Sequence, residues 1–318
     1  MNVFFVAVLS SYSVYGILAL ISDDLEPLTD DMIKAINDLD TIWKAGANFN
    51  GHDFKEIKNL IVTSNENYDT FEKKVFDKPK LPENFDARVE WPNCTSIGQI
   101  YKQDSCTPSW IYASVGQIAD QICINTGVKI DVEKTVKQMM KHYGDCEYNS
   151  ADFVKAFRYW VNYGVFTAKA NGSESCYQTP ISVKCLLNYE IENYFQLNPV
   201  NPKSYRDKMV AVLNGPITIN LDVYSDFFNY KSGIYKRTSR KKIGTHVVKI
   251  IGWGVEDDIK YWLVANSWGV QWGDKGFFKI RRNEGEFGND IRSVALSISS
   301  GKMPSSYNRD QLFYLQPY

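Results

Sequence analysis

The chain has 318 residues, a formal net charge of −1, 44% hydrophobic and 23% charged side chains. That balance fits a folded protein long enough for two compact lobes over a sizeable core. It carries no electrostatic footprint for nucleic acid or a charged membrane surface, and neither a cofactor nor a metal is expected. One local departure is the basic cluster Lys236, Arg237, Arg240, Lys241 and Lys242. It reads first as a solvated turn between strands; standing just before His246, it can also colour one rim of a cleft.

Residues 1–22 contain no charged side chain, and Asp23-Asp24 ends the apolar run. The stretch reads as a secretory signal peptide, with a membrane anchor as the rival. Ser10, Ser11, Tyr12 and Ser13 interrupt it and favour the signal peptide, hence the secretory pathway and an extracellular or lysosomal destination. In that compartment the six cysteines, Cys94, Cys106, Cys123, Cys146, Cys176 and Cys185, are expected to form disulfides. Six is even, so no thiol need be left over.

Residues 23–80 form a polar, partly helical segment. Ile33, Ile36, Leu39 and Trp43 recur at helical spacing. Lys78-Pro79-Lys80-Leu81-Pro82 is a proline-marked linker, and the main body runs over 81–318. Pro108 followed by Ser109 to Ile124 predicts a helix with proline at its start, and Phe153 to Tyr163 predicts a second. From Gly215 the texture becomes β-rich, with strands predicted over Ile217–Tyr224, Val247–Trp253, Lys260–Val264 and Gly276–Arg281. A helix-rich half therefore precedes a β-rich half, an α+β arrangement.

The chemistry-bearing residues are split between those halves. Gln103-Asp104-Ser105-Cys106-Thr107-Pro108-Ser109-Trp110 lies in the first; Thr245-His246-Val247 and Asn266-Ser267-Trp268 lie in the second. A nucleophile, then His, then Asn is the order of the Cys-His-Asn proteases, so any site falls between the lobes.

Longer runs carry a specific resemblance. They are Trp43-Lys44-Ala45-Gly46-Ala47-Asn48-Phe49, Leu81-Pro82-Glu83-Asn84-Phe85-Asp86-Ala87-Arg88, Tyr224-Ser225-Asp226-Phe227, Tyr230-Lys231-Ser232-Gly233-Ile234-Tyr235, Ile251-Gly252-Trp253-Gly254-Val255-Glu256, Tyr261-Trp262-Leu263-Val264-Ala265-Asn266-Ser267-Trp268 and Trp272-Gly273-Asp274-Lys275-Gly276-Phe277-Phe278-Lys279-Ile280. From about Leu28 to Ile298 the chain resembles the cathepsin B-like members of the papain family of cysteine proteases. The resemblance implies a papain-like two-lobe fold with the cleft between the lobes. It makes 23–80 a propeptide and implies pairings Cys94–Cys123, Cys106–Cys146 and Cys176–Cys185. The implied partners are peptides or protein substrates, the chain's own propeptide and cystatin-like inhibitors.

In that family a cysteine thiolate attacks the peptide carbonyl. Here Ser109 stands in the cysteine's place. By the same resemblance Gln103 helps bind the oxyanion, His246 is the base, Asn266 holds its ring and Trp268 shields that bond. A serine hydroxyl stays protonated and needs a base during attack, while the shorter C–O bond shifts the nucleophile from a place set for sulfur. Little or no peptidase turnover is expected. The cleft departs elsewhere too. Asp104 replaces a glycine and adds a carboxylate near the oxyanion site, Thr107-Pro108 replaces small residues, and Ser150-Ala151 stands where the family has a glycine pair. Arg292 falls where cathepsin B places an acid at the floor of its S2 pocket. Only eight residues separate Cys176 from Cys185, and the three histidines, His52, His142 and His246, lie elsewhere, so the family's dipeptide-removing loop is not expected. The leading expectation is a pseudoprotease that binds peptides or protease inhibitors. The rivals are a residual hydrolase using Ser109, His246 and Asn266, and a secreted effector with no cleft function.

Overall fold

A computed structural model describes residues 20–49, 51–62, 79–143, 156, 159, 204–282 and, as backbone, 189–197 and 293–300. Cys146, Ser150, Ala151, Cys176, Cys185 and Arg292 lie outside the described residues, as does most of the helix predicted over 153–163, of which Ala156 and Tyr159 are helical.

The β-rich lobe is a nine-stranded sheet in the order β1-β5-β8-β7-β6-β4-β9-β3, with β2 (Phe85–Asp86), just ahead of the one-turn helix α3 (Ala87–Glu90), pairing β6 from the side. Its centre is β6 (Lys242–Glu256), antiparallel to β4 (Ile217–Tyr224) on one side and β7 (Ile259–Ala265) on the other. β8 (Phe277–Arg281) follows, then β5 (Tyr230–Tyr235), β1 (Trp43–Ala45) from the N-terminal segment, and at the other edge β9 (Ser293–Ser300) and β3 (Tyr189–Leu197). The sequence predicts β6 only over Val247–Trp253, because the chain on either side is charged. Pairing with β4 and β7 extends the strand in both directions.

β6 is buried on both faces. Val248 and Ile250 enter a core with Trp253, Trp262, Trp268 and Phe278. Val247 joins Trp110, Val115, Ile118 and Met139 of the helix-rich lobe, and Ile251 packs with Cys94 and Cys123. This period-two division is what a strand between two cores requires.

The helix on that second face is α4 (Ser109–Thr126). It starts at Pro108, where φ of −63° suits a first turn and the missing N–H is no loss. It ends at Gly127, whose φ of +73° allows the terminating N–H bond to Cys123 O. Nearly every side chain from Ser109 to Gln121 is buried. Gln117 Oε1 accepts from the Thr218 N–H and Gln121 Nε2 donates to Asn214 O, so polar groups of α4 complete the backbone bonding of the other lobe. Lys249 Nζ sits 2.5 Å from Asp120 Oδ2 with both side chains almost fully buried. α5 (Val132–Tyr143) covers the far side of α4 with Val132, Val136 and Met139. The Cys94–Cys123 disulfide ties the C-terminal end of α4 to the turn Thr95–Gly98. Cys106 is also disulfide-bonded, and no cysteine among the described residues is free.

Ahead of the body, α1 (Asp30–Asp38) is capped by the Thr29 side chain and buries Met32 and Ile36 against the β-rich lobe. The helical spacing that includes Leu39 and Trp43 runs past the helix end. Asp40 takes φ of +48°, which a helix does not accommodate, and Trp43 is carried into β1 against Gly233. Trp43 is buried all the same, with its Nε1 donating to Lys236 O.

The buried ion pair gives a stability test. Lys249→Met leaves the buried Asp120 carboxyl without its cation, with an expected loss of about 3–5 kcal/mol in urea unfolding. Adding Asp120→Leu is expected to recover most of it. Equal stability of the single and double variants would show that the pair does not link the lobes.

Candidate active site

Three elements converge where α4 begins. Ser109, the first residue of α4, is buried, and its Oγ accepts the Val247 N–H at 3.1 Å. One residue earlier on β6, His246 is fully buried, with Nε2 2.8 Å from Asn266 Oδ1. Asn266 follows the end of β7, and its Oδ1 also accepts the Ser267 N–H at 2.8 Å. Trp268 covers the pair, its ring centroid 4.6 Å from that of His246 and stacked on Phe228. With Nε2 donating to Asn266, the neutral ring carries its lone pair on Nδ1, and Nδ1 has no hydrogen-bond partner among the described residues. Ser109 is thus close to His246 in the chain fold, but its hydroxyl is engaged with a backbone amide.

Gln103 is buried on the other side of Ser109. Its Oε1 accepts from Ser267 Oγ at 2.6 Å, its N–H donates to Ser267 O, and its Nε2 donates to Leu60 O at 3.0 Å. That carbonyl belongs to the N-terminal segment. Phe54–Ile57 forms a short helix, α2, capped by Asp53, and Lys58–Leu60 a 3₁₀ turn. Val62 then pairs with Thr245 in both directions, at 2.9 and 2.8 Å. Phe49 contacts Trp268 and Phe54 contacts Phe228. The segment therefore lies across the site, and its Leu60 carbonyl rests on the Gln103 amide. Its close approach needs Gly244, where a Cβ would meet Val62 O at 2.4 Å.

The electrostatics favour neutral groups. Burial, offset in part by Asn266 and the Leu60 carbonyl beside the ring, pushes the His246 pKa from 6.5 down to about 4. Asp104 is exposed and turned into its own loop, where Oδ1 accepts the N–H groups of Cys106 and Thr107. Burial alone would raise its pKa, but those bonds outweigh it and lower the value. The carboxylate read from sequence as bearing on the oxyanion site instead shapes the turn before α4. Thr107 is buried, and its carbonyl lies 3.4 Å from Gln103 Nε2.

Ser109, His246, Asn266, Gln103 and Trp268 are therefore brought together, with Asp104 and Thr107 on the adjoining loop. Sequence reasoning missed Ser267, which fixes the Gln103 amide, and Leu60 and Val62, which occupy the cleft. Ser267 was within reach as the hydroxyl between Asn266 and Trp268. Nothing in the sequence marks Leu60, whose contribution is a backbone carbonyl. Among the described residues no group of His, Cys, Asp and Glu side chains could hold a metal, and no helix is long and apolar enough to cross a membrane.

Residues 81–297 match the papain family cysteine protease profile. A cathepsin B-like cysteine proteinase of Schistosoma japonicum is 31% identical, over 87% of this chain and 91% of its own. Cathepsin B-like cysteine proteinase 3 of Caenorhabditis elegans is also 31% identical, over 88% and 85%. Among solved structures, proCathepsin B S9 from Trypanosoma congolense superposes with a TM-score of 0.69 at 27% identity, covering 87% of this chain and all of that one. Digestive procathepsin L 3 of Tenebrio molitor, at 19% identity and a TM-score of 0.64 over 84% and 86%, shares the fold.

Two outcomes are expected. Gly244→Ala should displace Leu60–Val62 without unfolding the body, giving a new cut by added protease at those residues; unchanged protection in limited proteolysis would count against the pairing. For His246 the unfolded ring titrates near 6.5 and the folded ring near 4. Between those values the unfolded chain holds more protons, so stability rises with pH. The contribution is fully present above about 6.5 and is lost toward pH 4, on the order of 3 kcal/mol. Urea midpoints of the natural chain should therefore fall more steeply from pH 7 to 4 than those of His246→Gln.

Proposed function

We propose that this chain, which belongs to the papain family of cysteine proteases and is cathepsin B-like, works as a peptide-binding pseudoprotease rather than a peptidase. The observation that carries the reading is the state of Ser109. Its hydroxyl accepts a backbone N–H, and the base that should activate it has a lone pair facing no donor. Attack by a serine needs the O–H to be given to His246 as the bond to the carbonyl forms. The pair found here is not set for that transfer. The family's alternative, a thiolate beside an imidazolium, is unavailable without a thiol.

The binding parts are in place. Gln103 Nε2 already holds a peptide carbonyl, and β6 already pairs with an extended segment at Thr245. A peptide entering after residues 57–62 withdraw would find the same two contacts. Residues 23–80 then act as a propeptide that fills the cleft in cis, and Ser109 gives the chain no means of cutting itself free. Removal must come from another protease, within a secretory or lysosomal compartment. Cystatin-like inhibitors are further ligands of this class. A residual hydrolase remains the second reading, because His246 keeps its bond to Asn266 and Gln103 is held by Ser267.

Ser109→Cys, with the cleft opened by Gly244→Ala, separates them. A thiol at the start of α4 beside His246 should label with thiol-directed epoxides, while the Ser109 chain should not. The opened Ser109 chain should bind a fluorescent peptide without cutting it. Brisk cleavage with fluorophosphonate labelling of Ser109 would establish the hydrolase instead.

A further inference from the structure

One short motif lies outside the cleft and has no part in holding a peptide there. Asn93-Cys94-Thr95 places an asparagine two residues before a threonine, with no proline between them. That is the acceptor pattern for an N-linked glycan. Only Asn171-Gly172-Ser173 repeats it in this chain, and Asn171 lies outside the described residues.

The fold exposes the two ends of the motif and hides its middle. Pro92 and Asn93 form a turn after α3, and Thr95 opens the 3₁₀ turn Thr95–Gly98. Asn93 and Thr95 are exposed, and among the described residues neither side chain takes part in a hydrogen bond. Cys94 is 7% exposed, bonded to Cys123 and packed with Ile97 and Ile251. Its N–H donates to Trp91 O at 3.0 Å, and its carbonyl accepts the Ile97 N–H at 3.1 Å. The folded chain makes no use of the Asn93 carboxamide, so a sugar on it projects into solvent at no cost in contacts.

The disulfide sets both the place and the timing. It fastens the motif to the far end of α4, where Cys123 lies roughly 20 Å from Ser109 along the helix axis. A sugar at Asn93 therefore leaves the cleft open. A transferase must hold the asparagine amide and the threonine hydroxyl together, across the residue between them. With Cys94 buried and tied to Cys123, that residue cannot leave the core. Cys123 follows 29 residues later, so it is synthesised about 1.5–6 s after Cys94. In that interval Cys94 has no Cys123 to bond, and the motif is free.

We propose that Asn93 carries an N-linked glycan, that the glycan is added before the Cys94–Cys123 disulfide closes, and that the two reactions compete for the same three residues. In the transfer, Asn93 Nδ2 forms a bond to C1 of a lipid-linked oligosaccharide. The C1–O bond to the lipid pyrophosphate breaks, and the pyrophosphate leaves with that electron pair. One carboxamide proton passes to a base, and nothing is oxidised or reduced. The modification rests on the secretory compartment of the proposed function, which the disulfides at Cys94 and Cys106 support. It is independent of the state of Ser109.

The test expresses the full chain in a eukaryotic secretory host. One arm keeps residues 1–22, and the other replaces them with a signal sequence of known function. Asn171→Gln is present in both, so that only Asn93 reports. Chains are reduced and denatured, and mass spectrometry reads the peptide carrying Asn93 before and after enzymatic removal of N-glycans. Folding of a variant is therefore not required. Occupied and free forms are both expected in the natural arm. Cys123→Ser should raise the occupied fraction and Thr95→Ser should retain it. Thr95→Ala and Asn93→Gln should each abolish it. Modification with the replaced signal alone supports the site and counts instead against residues 1–22 as a signal peptide. Free Asn93 in both arms overturns the site. Complete occupancy of the natural chain, or no rise in Cys123→Ser, overturns the competition with the disulfide.

Discussion

Strand β6 has no solvent-facing side, and the site depends on that constraint. Because side chains alternate along a strand, a slip of one residue would exchange its two faces. His246 would leave Trp268 for the face of α4, and Lys249 would enter the aromatic core. Only the observed register brings the Lys249 ammonium to Asp120, the sole buried cation partner that α4 offers among the described residues. Burial pushes the Asp120 carboxyl up against the pull of Lys249, so a misregistered strand would strand two buried polar groups at once. The Val247 N–H that holds Ser109 and the His246 ring that contacts Trp268 are adjacent residues on opposite faces of this one strand. The lobes meet at the site because β6 is the inner wall of both.

The occupied cleft sets the electrostatics. A thiolate and an imidazolium need water, a helix terminus or opposing charge around them. Here Leu60 and Val62 lie over the site, Phe49 packs against Trp268, and the ring of His246 is driven toward its neutral form. A serine hydroxyl and a neutral imidazole are the species such a dry site tolerates at least cost. A serine at the start of α4 and a covered cleft therefore agree electrostatically.

Much of this was legible in the sequence where side-chain pattern alone decides structure. β4 matches its predicted bounds, and α4 starts at the residue after Pro108, as the proline at its head implies. The split of Ser109 from His246 and Asn266 also gave the interlobe position of the site. Legibility failed where a backbone atom or a local turn decides. Trp43 keeps helical spacing with Ile36 and Leu39, yet the left-handed turn at Asp40 sends it to a strand. Asp104 reads as a charge aimed at the site, yet a carboxylate two residues before a free N–H closes an Asx turn. Leu60 and Val62 act through carbonyl and amide groups, which any residue but proline could supply in full, so no side-chain motif could announce them. The basic run 236–242 does lie in a connection between strands, β5 and β6, as its sequence suggests; what the run does not show is Asp226, ten residues before Lys236, whose carboxylate accepts from Thr238 and Tyr235 and holds the connection's shape.

Cleavage and binding make unequal demands on this geometry. Holding a peptide needs a donor for its carbonyl, a strand edge for its backbone and walls for its side chains. Gln103, Thr245 and the aromatic group around Trp268 meet those demands, and Ser267 keeps the Gln103 amide turned the right way. Cleavage adds a nucleophile that can lose its proton at the moment of attack, within a tolerance of about 1 Å. That added demand rests on one contact, from the Ser109 O–H to His246 Nδ1; Ser109 Oγ accepts the Val247 N–H, and Nδ1 has no hydrogen-bond partner among the described residues. A site can lose that bond while every contact that recognises a peptide stays intact, because none of those contacts passes through Ser109 Oγ.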